Sequence, residues 1–148
     1  MTSRIWLIAG PTASGKSALA LRLARATGAE IVNADSMQLY ADLRILSAAP
    51  SPQEQAQAPH HLFGTADAAD GWSVGRWRTA AAQVLRKIAM RDGRAILVGG
   101  TGLYFQALTA GLAEIPAVPA ALRAQATAEL DAMGEAAFRR RLAEPDPG

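Results

Sequence analysis

The sequence, 148 residues long, contains no cysteine. That excludes a disulfide scaffold, a thiolate metal site and cysteine nucleophilic catalysis. Aromatic residues make up only 5%, too few for extensive stacking on a single nucleic-acid strand. Charge of one sign is scarce too: 15 Lys and Arg stand against 13 Asp and Glu, a formal net charge of +2. The pI near 9.5 rests on that excess of two. It is weak ground for a nucleic-acid partner and excludes a strongly cationic tail. No apolar run approaches the ~18–20 residues of a membrane-spanning helix. The opening residues lack the basic flank and cleavage site of a secretory signal. What the chain has in quantity is apolar: 50% of its residues, enough for the core of one globular domain. The expectation is a soluble, cytoplasmic protein.

Hydrophobic patterning gives an α/β order. Arg4 to Ala9 is a short apolar run ended by Gly10-Pro11 and reads as a buried parallel strand. From Lys16, Leu19 and Leu23 with Ala20 and Ala24 recur four apart, Arg22 and Arg25 face outward, and Gly28 can cap a helix. Glu30 to Ala34 is a second strand, which completes a βαβ unit. Residues 41–71, with Pro50, Pro52 and Pro59, read as loop with one short helix. Ser73 is a good N-cap for a helix whose stripe is Val74, Trp77, Ala81, Leu85 and Ile88, stopped at Gly93. Arg94 to Val98 is a third buried strand, ending in Gly99-Gly100-Thr101-Gly102, and a helix from Leu103 to Thr109 follows. After Pro119, residues 119–132 and 135–143 read as two short helices broken at Gly134. There is no internal repeat. The core is assigned to residues 1–112, and 113–148 to the start of a helical part.

Gly10-Pro11-Thr12-Ala13-Ser14-Gly15-Lys16-Ser17 fits G-x-x-x-x-G-K-[ST] at every fixed position, after a strand and before a helix. Glycines let backbone N–H groups curl inward around an anion, and the helix start adds its positive end. Lys16 supplies a mobile charge for terminal phosphates, and the Ser17 hydroxyl suits Mg²⁺. The loop points to a di- or triphosphate and to a P-loop NTPase-like parallel sheet with flanking helices. An NTPase would also end a strand in Asp to hold Mg²⁺. The third strand ends in glycines, so ordinary ATP hydrolysis is not expected. The acid at a strand end is Asp35, where open α/β sheets place their chemistry. It can take a proton or hold a metal, or merely cap the following turn.

Four segments form an ordered set: Gly10 to Ser17; Asp35-Ser36-Met37-Gln38 with Tyr40; Pro59-His60-His61-Leu62; and Gly99-Gly100-Thr101-Gly102-Leu103-Tyr104. Together they resemble the tRNA dimethylallyltransferases, also called tRNA isopentenyltransferases, over about residues 4–147. The resemblance implies transfer of a dimethylallyl group from dimethylallyl diphosphate to N6 of the adenosine beside the anticodon. The loop residues Gly10, Thr12, Ala13, Ser14, Gly15, Lys16 and Ser17 would then hold the diphosphate, with Mg²⁺ on Ser17. Asp35 maps to the general base and Thr101 to a substrate contact at the reacting centre. Asp35, Ser36, Met37, Gln38, Thr101 and Arg123 map to contacts with the tRNA anticodon stem-loop. In that setting Gln38 offers an amide to base edges and Met37 an apolar surface. A monomer without membrane attachment is expected. Family members are longer, so the resemblance also implies a chain truncated at its C-terminus, with 113–148 opening a tRNA-binding insertion. Two alternatives remain on the residues alone: a kinase with the same loop, and a non-catalytic nucleotide-binding module.

Other residues have plainer readings. His60 and His61 lack the further ligands of a metal site and read as structural or phosphate-side groups. Trp72 and Trp77 suit core packing. Tyr104 and Phe105 suit either the core or a prenyl pocket. Arg139-Arg140-Arg141 is a solvated helix face that can also meet RNA phosphates.

Overall fold

The computed structural model describes residues 5–113 and 118–143. The chain divides into two compact units, Met1–Leu112 and Ala113–Gly148. In the first unit the order is β1 (Ile5–Ala9), α1 (Lys16–Thr27), β2 (Glu30–Asn33), two 3₁₀ turns (Met37–Leu39 and Ala41–Leu43), α2 (Pro52–Gln55), β3 (His60–His61), α3 (Val74–Ala89), β4 (Ala95–Gly99) and α4 (Gly102–Thr109). The second unit holds α5 (Ala120–Met133) and α6 (Glu135–Ala143). Arg4 and residues 114–117 of the expected elements lie outside the described residues.

The strands form one parallel sheet in the order β1-β4-β2-β3. Alternation sends their side chains to two cores. Ile96 and Val98 of β4 and Ile31 of β2 meet Ala20 and Ala24 of α1 on one face. Ala95 and Leu97 of β4 and Val32 of β2 meet Trp77, Ala81 and Ile88 of α3 and Tyr104 of α4 on the other. Trp77 and Tyr104 stack with ring centroids 4.0 Å apart. Both Trp77 and Tyr104 are therefore core residues, and Phe105 packs beside them. The parallel α/β class is as expected.

Three local expectations are corrected. β1 is not buried on both faces: Ile5 and Leu7 are 48% and 46% exposed. It is an edge strand among the described residues, and α1 covers the face carrying Trp6 and Ile8. The buried stripe of α1 is its alanine pair, while Leu19 and Leu23 remain partly in solvent at 39% and 36%. Small side chains let the helix axis approach the sheet closely. The segment 41–71 contains a strand as well as a helix, because His60 and His61 pair with Ile31 and Val32. The short helix α2 starts with a reciprocal capping box between Ser51 and Glu54. Helix α3 ends before Gly93, with Asp92 at φ 53° taking the left-handed turn.

At the other end of β2 from Asp35, Glu30 ties three elements together. Its carboxylate accepts from His61 Nε2 at 2.7 Å and from Arg91 Nη2 at 2.6 Å. Burial pushes the Glu30 carboxyl up, but the hydrogen bonds and charges of Arg91 and His61 outweigh it and hold it below its ordinary value. That stabilisation is present above the unfolded-state value of about 4.3 and is lost as pH falls through the lower folded value. Glu30→Gln is expected to cost about 1–2 kcal/mol at neutral pH. The gap to wild type should close as urea melts are repeated down to about pH 3. An equal gap at both pH values would show that the Glu30 charge contributes nothing.

Candidate functional site

The site lies where β1, β2 and β4 end. After β1 the chain curls through Ala13 at φ 61° and Gly15 at φ 79°, both left-handed. Gly15 is the N-cap of α1, no side chain caps it, and the first turn carries no acid. By contrast, Ser73 accepts from the Arg76 N–H at the start of α3. The first N–H groups of α1 are thus left without a side-chain acceptor. Lys16 Nζ donates to the Pro11 carbonyl at 3.0 Å, which holds the ammonium across the loop. A side chain at Gly10 would meet Ser14 Oγ at 3.1 Å.

After β2 the chain makes two linked turns. Asn33 Oδ1 accepts from the Asp35 N–H at 2.8 Å, and Asp35 Oδ1 accepts from the Met37 N–H at 3.0 Å. The capping reading of Asp35 therefore holds for one of its oxygens. The other, Oδ2, faces Gly100. A Cβ placed on Gly100 would lie 3.5 Å from Asp35 Oδ2 and 3.5 Å from the Gly10 carbonyl oxygen. The carboxylate, the root of the phosphate loop and the Gly99-Gly100 turn thus meet around one small space.

Thr101 closes that space from β4. Its N–H donates to the Ala34 carbonyl at 3.2 Å. Its Oγ1 accepts from the Ser36 N–H at 3.0 Å and lies 3.4 Å from Ser36 Oγ. Tyr104 lies beneath: burial, then the nearby Tyr40 and Asp35, push its phenol above the ordinary value and keep it protonated. Met37 is 50% exposed at the rim. The Gln38 amide nitrogen donates to the Ser47 and Ala48 carbonyls at 2.9 and 3.3 Å, which ties it to the loop that follows.

The profile of the IPP transferase family matches residues 38–148, and that of isopentenyl transferase matches residues 3–63. The chain belongs to the IPP transferase family. It is 71% identical over 147 residues to the tRNA dimethylallyltransferase of Phenylobacterium zucineum, covering 99% of this chain and 48% of that protein. The same-named protein of a Caulobacter species is 64% identical, over 98% of this chain and 47% of its own. The chain thus spans about half the length of the curated relatives it matches. Among solved structures, the tRNA isopentenylpyrophosphate transferase of Bacillus halodurans superposes with a TM-score of 0.73 at 30% identity, over 99% of this chain and 48% of the other. A eukaryotic dimethylallyltransferase acting on tRNA gives 0.80 at 27% identity, over 99% and 36%.

In this IPP transferase chain the first unit brings together Gly10 to Ser17, Asp35 to Gln38 and Thr101. Arg123 lies on α5 of the second unit and is exposed. Two of the three consecutive arginines of α6 are paired, Arg139 with Glu135 and Arg141 with Glu129. His60 Nδ1 donates to the Ala58 carbonyl at 2.7 Å, and the ring sits edge-on to Phe63. Burial pushes its ring below the ordinary value. Neither His60 nor His61 joins a metal cluster, and none occurs among the described residues. Trp72 packs on the core with Arg76 over its ring at 4.6 Å. The sequence reading missed Asn33, whose role depends on hydrogen bonds. It also gave Gly99 no role of its own. An Asn at a strand end two residues before an Asp is a local signal for such a turn. No helix is long and apolar enough to cross a membrane among the described residues.

Proposed function

We propose that the chain carries the donor-binding and base-bearing part of a tRNA dimethylallyltransferase. The reaction moves a dimethylallyl group from dimethylallyl diphosphate to N6 of the adenosine next to the anticodon. The observation that carries this reading is that Asp35 Oδ2 and the Gly10 carbonyl at the root of the loop flank one position, each 3.5 Å from where a Cβ on Gly100 would stand. An acid there can serve a nucleophile attacking a group whose diphosphate is held by the loop. β4 ends in glycines rather than a carboxylate, which favours prenyl transfer over phosphoryl transfer from ATP.

The donor set also suits Mg²⁺. Ser17 offers one hydroxyl oxygen at the start of α1. No cluster of three acids or histidines competes for the ion among the described residues. Mg²⁺ takes few protein ligands and shares the rest with phosphate oxygens and water. Bound through Ser17, it would offset negative charge on the diphosphate. The loop amides and Lys16 bind and orient the same group. As N6 attacks the allylic C1, the C1–O bond to the diphosphate breaks and the N6 proton passes to Asp35. An exocyclic adenine amine is a poor nucleophile, so a carboxylate within ~3 Å of that proton assists as charge develops. The adenine must leave its stack to reach the space, where exposed Met37 offers an apolar contact. Ser36, Gln38, Thr101 and Arg123 complete the tRNA-contacting set, and residues 113–148 begin the tRNA-binding helical part.

Incubation of a full-length version of the enzyme with Mg²⁺, dimethylallyl diphosphate and unmodified tRNA should yield prenylated adenosine, read by nucleoside mass spectrometry. ATP-dependent phosphorylation of a small acceptor, without prenylated nucleoside, would overturn the proposal. Lys16→Ala should weaken dimethylallyl diphosphate binding about 10-fold or more, since a hydrogen bond to a charged group is worth ~1.5–3 kcal/mol. Calorimetry showing wild-type affinity would remove Lys16 from the diphosphate site.

A further inference from the structure

We infer that Asn33 is a positioning residue for Asp35: its buried amide brackets the Asp35 peptide and so sets where the carboxylate stands. The inference rests on the proposed role of Asp35 as the base. Asn33 is fully buried and is the one polar side chain so buried among the described residues. It occupies the last position of β2, where a β-branched aliphatic residue would serve packing better. A buried amide is retained at a cost unless its hydrogen bonds are made.

Those bonds converge on one neighbour. Oδ1 accepts from the Asp35 N–H at 2.8 Å, and Nδ2 donates to the Asp35 carbonyl at 2.9 Å. Nδ2 also donates to the Leu62 carbonyl at 2.9 Å, just beyond β3. Both amide donors are therefore used. One side chain holds both polar groups of the Asp35 main chain and ties them to the neighbouring strand. The bracket is itself anchored in the core, since the Asn33 carbonyl accepts from Trp77 Nε1 at 3.0 Å. With its peptide gripped, Asp35 retains only side-chain rotation. The Met37 N–H then fixes Oδ1 and leaves Oδ2 toward Gly100. Proton transfer depends steeply on such placement, and a misplacement of about 1 Å can cost ~10²-fold in rate.

Two substitutions test this. Asn33→Ser keeps a short acceptor for the Asp35 N–H and loses the donor to its carbonyl; Asn33→Ala loses both. Prenyl-transfer kcat should fall in the order wild type, Asn33→Ser, Asn33→Ala, by about 10-fold and then ~10²-fold. KM for dimethylallyl diphosphate should stay within about twofold, because the loop is untouched. By amide hydrogen exchange, Ser36 and Met37 should open faster in Asn33→Ala, while Ile96 and Leu97 in β4 keep their protection. Wild-type kcat in Asn33→Ala would overturn the inference. So would a loss of β4 protection in both variants, which would make Asn33 a fold residue only. If a full-length wild-type version forms no prenylated adenosine, the transfer reading fails separately. Exchange then still decides the bracket, since an unchanged Met37 rate in Asn33→Ala overturns it.

Discussion

Asp35→Asn is expected to lower prenyl transfer by about 10²-fold or more while leaving diphosphate binding within about twofold of wild type. The substitution is nearly isosteric. Its amide oxygen can still accept from the Met37 N–H, which Asp35 Oδ1 does at 3.0 Å. The Asn33 bracket acts on the main chain of residue 35, not on its carboxylate. The turn should therefore persist, and what disappears is the ability to take a proton. Under the proposed function, diphosphate binding falls to different groups: the α1 N-terminus, Lys16 and Ser17. Calorimetry with dimethylallyl diphosphate and Mg²⁺, beside single-turnover transfer to unmodified tRNA, separates the two effects. Turnover equal to wild type would show that Asp35 is not the base. Loss of diphosphate binding together with turnover would make it a ligand of the donor.

The turn from Gly10 to Ser17 was legible because its signal is local. Glycines at fixed spacing between an apolar run and a helical pattern mark a tight turn, and Gly15 takes the left-handed position at the start of α1. The stripe of α3 was legible for a similar reason: Trp77, Ala81 and Ile88 recur on one face and are the residues buried there. What escaped depends on partners far along the chain. β3 is two residues long and exists because Ile31 and Val32 lie beside it. The partner of His61 is Glu30, 31 residues earlier. The partners of the Gln38 amide are the Ser47 and Ala48 carbonyls, nine and ten residues on. The edge position of β1 is likewise a matter of strand order, which an apolar run of five residues does not encode. In the site itself, Asp35 and Thr101 could be named from their segments, but the bracket that holds Asp35 could not.

Gly99→Ala should damage the molecule more than its size suggests. A Cβ on Gly99 would lie 2.0 Å from the Ala34 carbonyl oxygen, 2.1 Å from its carbon and 2.7 Å from the Asp35 nitrogen. All three are backbone atoms, so no side chain can turn aside to make room. Relief requires the ends of β2 and β4 to part by more than 1 Å, given that ordinary Cβ contacts begin near 3.4 Å. That movement would break the bond from the Ala34 N–H to the Val98 carbonyl, now 2.8 Å, and the one from Thr101 to Ala34. Overpacking of this kind with lost strand bonds is expected to cost about 3 kcal/mol or more, a fall in Tm of roughly 10 °C for a chain of this length. Gly100→Ala provides the contrast. Its Cβ would meet Asp35 Oδ2 and the Gly10 carbonyl at 3.5 Å, an ordinary contact that should cost less than about 1 kcal/mol. The added methyl would nevertheless stand between the carboxylate and the phosphate loop, where the reacting groups are proposed to meet. Gly99→Ala should thus lose stability first, and Gly100→Ala should lose transfer while melting near wild type. A Gly99→Ala protein that melts within about 2 °C of wild type would mean that the two strand ends do not approach as described.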